Sequence, residues 1–431
     1  MSAAQGQASP SAAARRYALL LLFLAYVVNY IDRQIVTILQ EPIKADLGLS
    51  DTQLGLMTGL SFALFYATLG IPIARIADRH SRTRLIAGAI TLWSAMTAAC
   101  AAAGNFWTLL MLRMGVGVGA AGLSPPAHSL ISDYYEPERR ATAIGIYSVG
   151  IQVGVFLGFL AGGVINHFFG WRMAFLVVGL PGLLLALLIR FTMREPPRGQ
   201  FDPPADRAGA PGNEGLFASL AALWRIRPFR YAAFASGFHA LVLYGHGHWA
   251  PPYLGRLHAM PLHEIAFWLA ILAVLPGALG IWLSGIAADW LVRRSPKGRL
   301  WVASGSLALL IPFEIAYALA GSPGLALAMS AITHFLGGAY LAPTIAFAHS
   351  QVTPRQRASA SAVLLLGLNL IGLGIGPMLV GLLSDAATAQ GFGTAGLRYA
   401  LLAIIPSQFV ALALFLRANA IDAPPLPSSK E

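Results

Sequence analysis

Gly70-Ile-Pro-Ile-Ala-Arg-Ile-Ala-Asp-Arg-His-Ser-Arg-Thr-Arg84 joins two apolar runs and sets one acid, Asp78, among Arg75, Arg79, Arg82 and Arg84. The same grammar returns at Gly285-Ile-Ala-Ala-Asp-Trp-Leu-Val-Arg-Arg294, again between two apolar runs. A basic loop alone would mark only topology, because cytoplasmic loops of any membrane protein are enriched in Lys and Arg. An echo in the second half, with the acid kept, points to a duplicated unit.

Composition sets the solvent. The 431 residues are 57% hydrophobic and 11% charged, with a mean hydropathy of +0.66, whereas a water-soluble domain carries about 25% charged residues. This is an integral membrane protein. The net charge of +11 resides in short loops between apolar runs rather than on one soluble face, which argues against nucleic acid as a partner. The single cysteine, Cys100, excludes an intrachain disulfide, and no cofactor or metal set is recognisable. Lysine occurs only at Lys44, Lys297 and Lys430 while Arg and Ala abound, a bias that suggests a bacterial inner membrane.

The first apolar run, 17–39, is long enough to span about 30 Å of hydrocarbon. Further spans are predicted near 52–74, 84–104, 106–128, 141–165, 171–192, 229–254, 263–288, 299–320, 324–349, 358–384 and 397–417, twelve in all. Threading them from a cytoplasmic N-terminus puts 23 of the 29 Lys and Arg residues on the cytoplasmic side, four outside (Lys44, Arg172, Arg256, Arg398) and two, Arg33 and Arg113, within spans. That asymmetry predicts both termini in the cytoplasm.

The halves match beyond the opening loop. Glu136-Pro-Glu-Arg-Arg-Ala-Thr-Ala143 aligns with Thr353-Pro-Arg-Gln-Arg-Ala-Ser-Ala360 at a shift of 217, and Pro126 pairs with Pro343 and Gly150 with Gly367. A shift near half the chain predicts two parallel six-helix bundles, 17–193 and 229–418. Around them lie a tail at 1–16, a Pro-, Gly- and Arg-rich linker at 194–228 and a tail at 419–431. Within the linker, Leu216, Phe217, Leu220, Leu223 and Trp224 recur at helical spacing and predict a short surface helix.

The two basic loops resemble the signature loop of the major facilitator superfamily, which joins helices two and three and, more weakly, eight and nine. The family prefers glycine where this chain has Ala74 and Ser81, and Gly285 keeps it. The resemblance implies an all-α fold of twelve transmembrane helices in two six-helix bundles, working by alternating access. Gly150, Gly154, Gly158 and Gly162-Gly163 likewise resemble the family's glycine-rich fifth helix, either a seam on which the halves rock or ordinary close packing. Their counterpart in helix eleven, Gly367, Gly372, Gly374 and Gly376-Pro377, is less regular.

Ionisable groups within spans are costly in lipid and are therefore site candidates. Tyr26, Asn29, Tyr30 and Arg33 form one polar arc on the first helix, with Asp32 beside them. Counting from the outer helix ends, Asp32 and Arg113 both lie about 12 Å deep and can meet. Neutralising Asp32 would then free Arg113 for an anion, a proton-linked switch; the other reading is a fixed structural ion pair. Asn29-Tyr-Ile-Asp-Arg33 and Arg113-Met-Gly-Val-Gly-Val-Gly-Ala-Ala-Gly122 resemble the spinster-like branch of the superfamily. That resemblance implies a lysolipid or sphingoid-like substrate, with Ala120 standing where the branch typically has an acid.

In the second half, His239, Tyr244, His246, His248 and Trp249 fall in the seventh span, where Gly245 and Gly247 are expected to break the helix before Pro251-Pro252. At least two of these three histidines are expected at the outer interface. His334 and Tyr340 are candidates in the tenth span, Gln152 and Asn369 in the fifth and eleventh, and Glu314 reads as an interhelical hydrogen-bonding group. A cytoplasmic gate is expected from Asp78 with Arg79, Arg82, Arg139 and Arg140, mirrored by Asp289 with Arg293 and Arg355. With no nucleophile, base or metal constellation at either face, the sequence reads as a transporter, not an enzyme. The expectation is a monomer in the lipid bilayer moving an amphipathic or organic anion with protons, or else an exporter of drugs or small carboxylates of the same fold, or an uncoupled facilitator.

Overall fold

The computed structural model describes residues 11–201, 223–295, 297–352 and 356–421, and within them not the side chains of Ile71, Ala74, Arg75, Asp78, Ala141 and Ala358. All regular structure among the described residues is helical. Nine helices there are long and apolar enough to cross a membrane, and two of them are double. Pro137–Thr192 turns at Gly170, whose φ of +78° suits glycine alone, and the run Ser359–Ala420 turns at Gly391 and Gly393. Adding Arg227–His258 makes twelve.

These are α1 (Ala12–Ile38), α2 (51–79), α3 (Arg82–Ala102), α4 (Phe106–Tyr134), α5 (137–169), α6 (171–192), α7 (Arg227–His258), α8 (Leu262–Val292), α9 (Gly298–Ala318), α10 (Pro323–Ser350), α11 (357–387) and α12 (396–420). Their starts are capped as the sequence dictates. Asn105 accepts from the Thr108 amide at 3.0 Å to open α4, and Ser50 and Gln53 form a reciprocal capping box at α2.

The helices fall into two compact units, Met1–Val36 with Phe65–Asn213 and Thr37–Leu64 with Glu214–Glu431. In the first, the α5 glycine stripe is filled by α1: a Cβ at Gly154 would lie 2.6 Å from both the Val27 carbonyl and the Tyr30 Cβ. Gly179 of α6 packs as closely on Ala98 of α3, and Gly119 of α4 on Trp93. Gly150, Gly154 and Gly158 thus serve close packing of α5 on α1 within this unit.

In the second unit, Gly372 of α11 packs on Ala240 of α7. Two π-helical segments, Leu56–Leu60 in α2 and Leu368–Ile375 in α11, meet where a Cβ at Gly59 would lie 2.7 Å from the Leu373 carbonyl. Contrary to the sequence expectation, α7 runs unbroken through Gly245, Gly247 and both prolines. Gly245 instead makes room for the Ile404 and Val380 side chains, and prolines are tolerated in membrane helices when neighbours re-satisfy the backbone. Leu216, Phe217 and Leu220 of the expected linker helix lie outside the described residues; Leu223 is buried against Phe229, Ala348 and Val352 rather than on a surface.

Candidate functional site

Asn29, Asp32 and Arg113 are all buried. The α1 and α4 registers bring Asp32 and Arg113 together, but the contact is not an ion pair. Arg113 Nη1 donates to the backbone carbonyl of Asp32 at 3.2 Å, while both Asp32 carboxylate oxygens and Arg113 Nε are buried without a well-formed hydrogen bond, Thr97 being the hydroxyl that neighbours the carboxylate. An unpartnered buried carboxylate costs several kcal/mol by general estimates and is relieved by a proton or a cation.

Beside it, the Arg33 guanidinium lies over Tyr30 (4.8 Å) and Tyr66 (4.4 Å). Tyr26 stacks on Tyr147 at 4.2 Å and meets Tyr30 edge-on at 5.2 Å, and His128 is edge-on to Tyr147. Two tyrosine rings thus flank the cation, and further aromatic rings pack behind Tyr30. Sequence reasoning missed Tyr66, Tyr147 and His128; Tyr147 could have been found, since it lies one turn before Gly150 on the same α5 face that meets α1. Gln152 is half-buried and joins none of these contacts.

In the second unit His239 and His246 are buried within the protein and His248 is half-buried. His239 is 1% exposed and spans Gln408 Oε1 and the Gly337 carbonyl, each at 2.9 Å, with Tyr340 edge-on at 4.3 Å. His246 reaches the Leu401 carbonyl at 3.2 Å. His248 is half-buried, with Thr37 Oγ1 3.3 Å from its Nδ1, and Tyr244 lies 6.1 Å from its ring. Glu314 accepts from Gln408 Nε2 at 2.9 and 3.0 Å, joining α9 to α12. His334 donates to its own helix at Ser330, and Asn369 bonds Leu365 within α11. His246, Glu314, Tyr317, Ser330, Thr333 and His334 line a pocket of about 40 Å³.

A second polar cluster in this unit went unforeseen. Arg256 on α7 donates to Asp51 at 2.7 and 2.8 Å and to Glu41 at 2.6 and 3.0 Å. Asp51 also accepts from Ser384 at 2.6 Å and from Lys44, and Asp385 accepts from the Asp51 and Thr52 amides at 3.0 and 2.7 Å. Through these bonds residues 37–64 are tied to α7 and α11, the physical reason they group with the second unit. The sequence held a clue: Lys44 and Arg256 are two of only four basic residues assigned to that side.

The gate candidates sort differently. Asp78 has its side chain, and Arg355 its whole residue, outside the described residues. Arg79 and Arg139 are exposed, and Arg140 donates to the Ser132 carbonyl at 2.9 Å. Arg82 is buried and pairs with Asp133 and with Glu195 at 3.1 Å, adding Ser129 at 2.9 Å. Its planar fork thereby ties α3 to α4 and to the segment that follows α6. Burial would raise the Glu195 carboxyl, but bonds from Ser81 and Arg82 outweigh it and hold the group below the usual carboxylate range. Asp289 and Arg293 are both exposed and form no ion pair with each other or with another described residue; an exposed pair one turn apart gains little.

Residues 22–322 match the family model of the Major Facilitator Superfamily, and the chain belongs to that family. Within it the resemblance is to the spinster-like branch. A crystal structure of a bacterial homolog of the human lysosomal transporter Spinster, inward-facing and unoccupied, is 34% identical, covers 95% of this chain and 98% of that one, and superposes with a TM-score of 0.88. An MFS-type efflux pump of Mycolicibacterium smegmatis is 32% identical over 382 residues, 87% of this chain and 86% of the relative. Human protein spinster homolog 1 is 29% identical over 393 residues, 86% and 73% of the two chains.

Proposed function

We propose that this spinster-like transporter is a secondary active carrier that couples protons to an amphipathic or organic anion, of lysolipid or sphingoid-like character, by alternating access. The observation that carries this reading is the buried Asp32 carboxylate with no paired cation, beside an Arg113 guanidinium that rests on a backbone carbonyl. Protonating Asp32 removes the buried charge; deprotonating it recruits Arg113 and withdraws that cation from an anionic substrate. Arg33, flanked by its two tyrosine rings, supplies a second cation with apolar walls, suited to a charged head on a greasy body.

In this reading the bundles are 17–193 and 229–418 joined by the 194–228 linker, and the chain is monomeric. It lies in a bacterial inner membrane, with the 1–16 and 419–431 tails and the gate at Asp78, Arg139 and Arg140 on the cytoplasmic side. A second reading is export of drugs or small carboxylates, of which the outward direction alone is supported by similarity to the Mycolicibacterium efflux pump. Proteoliposome uptake of fluorescent lysolipid and of a small organic anion, with and without a pH gradient, tests both. Gradient-driven lysolipid movement that Asp32→Asn abolishes is the expected result. Transport that ignores the gradient and survives the substitution makes the contact structural.

A further inference from the structure

The hydrogen-bond chain from Glu314 to Gly337 has one acceptor too many. At one end the Gly337 carbonyl can only accept, so His239 Nε2 carries a proton. At the other end the Glu314 carboxylate, when ionised, can only accept, so Gln408 turns its Nε2 toward it. That leaves Gln408 Oε1, a second acceptor, 2.9 Å from His239 Nδ1. The bond exists only if Nδ1 also bears a proton, which makes the imidazole a cation. Flipping the Gln408 amide gives the other consistent arrangement: Nε2 donates to a neutral imidazole and Oε1 accepts from a protonated Glu314.

The two arrangements contain the same number of protons. Both hold one more than an ionised glutamate plus a neutral histidine, a combination that sets two lone pairs against each other whichever way the amide points. His239, Glu314 and Gln408 are all buried, so a bond left unmade between them carries a desolvation cost.

The surroundings supply an entry route and no competing cation. Glu314 also lines the 40 Å³ pocket, room for about three waters. The titratable groups that face it are His246 from α7, Tyr317 from α9 and His334 from α10, with Tyr340 of α10 against His239. No lysine or arginine lines it, and Arg398 of α12 is engaged with Tyr253. The Tyr317 hydroxyl is buried without a partner. His246 and His334 each spend one N–H on a carbonyl, leaving the other nitrogen as an acceptor. Among the described residues no three His, Cys, Asp or Glu side chains gather as a metal-ligating group. The lining is thus rich in acceptors and lacks the donor set of a metal.

We propose that the Glu314–Gln408–His239 chain is a proton-binding site in the C-terminal half, loaded through the pocket beside it. Loading adds one proton to the chain, shared between the Glu314 carboxyl and the His239 imidazole through the Gln408 amide; unloading returns it to pocket water. This site is separate from Asp32 and does not depend on how Asp32 acts.

The test is infrared difference spectroscopy on purified full-length protein in lipid nanodiscs, stepped from neutral to alkaline pH. Wild type should lose either a protonated-carboxyl stretch or an imidazolium ring mode, equivalent to one proton per chain. Asp32→Asn should keep that change. Glu314→Gln should abolish it while remaining folded, because two amides and a neutral imidazole satisfy the whole chain without an added proton. His239→Asn should leave any residual change in the carboxyl region alone. A wild-type spectrum with no titrating band overturns the proposal, and so does one that Glu314→Gln leaves unchanged. A sodium-dependent gain in thermal stability, measured against choline and lost in Glu314→Gln, would assign the pocket to a metal cation and also overturn it.

Discussion

The clamp on residues 37–64 yields a prediction whose size follows from its geometry. Replacing Arg256 by Met keeps an unbranched apolar stem and deletes four charge-assisted hydrogen bonds. Breaking a fully buried pair costs about 3–5 kcal/mol. Asp51 qualifies, with its side chain 2% exposed, but Glu41 is 33% exposed and its share is about 0–1 kcal/mol. Lys44 and Ser384 still hold Asp51, so the net loss should lie near 2–3 kcal/mol, a factor of roughly 30 to 150 in the opening equilibrium. The readout is maleimide labelling of L54C, at a site with no exposure in the closed form, in a C100S background that removes the only native thiol. Labelling should accelerate by that factor in Arg256→Met. A change of less than about twofold would mean the cluster behaves as a surface ion pair, and the clamp would be refuted.

Two further outcomes follow from the first unit. Glu195 is held below its usual range by Ser81 and Arg82, so its contribution to stability is present above its unfolded pKa of about 4.3 and is lost as pH falls through the lower folded value. Thermal unfolding in detergent should therefore weaken on acidification below about pH 4.3 more steeply in wild type than in Glu195→Gln. Gly154→Ala forces α1 and α5 apart and should cost about 1–3 kcal/mol of stability. Gly145→Ala, with nothing within 4 Å of its Cβ, should be neutral or stabilising by up to about 1 kcal/mol, as unfolding temperatures of the two variants would reveal.

What could be read from the chain was what repeats or follows a period. Twelve spans, the echo of Asp78 at Asp289 and the shared depth of Asp32 and Arg113 are all one-dimensional facts, recoverable from spacing and the rise of a helix. Partner choice across helices was not recoverable. Asp51 and Arg256 are 205 residues apart, and no period links them. Nor could spacing tell that Arg113 would settle on the Asp32 carbonyl rather than its carboxylate, a choice made over the last few ångströms by packing. The seventh helix misled for a related reason. Gly245 and Gly247 beside two prolines carry the local pattern of a break, but the helix survives because Val380 and Ile404 occupy the space that the missing side chain leaves.

The two buried carboxyl sites differ in a way that bears on coupling. Asp32 has an arginine beside it, so in the proposed scheme a proton there is exchanged for a guanidinium contact within one unit. Glu314 has none, and its proton can move only along Gln408 to His239 or out through the pocket. A site of the first kind can be read by an anion, because losing the proton changes which cation is free. A site of the second kind is indifferent to an anion's presence and registers pH alone. If both titrate, anion binding should compete with deprotonation at Asp32 and leave the Glu314 titration unmoved, a separation that reciprocal linkage requires and that a single shared proton site could not produce.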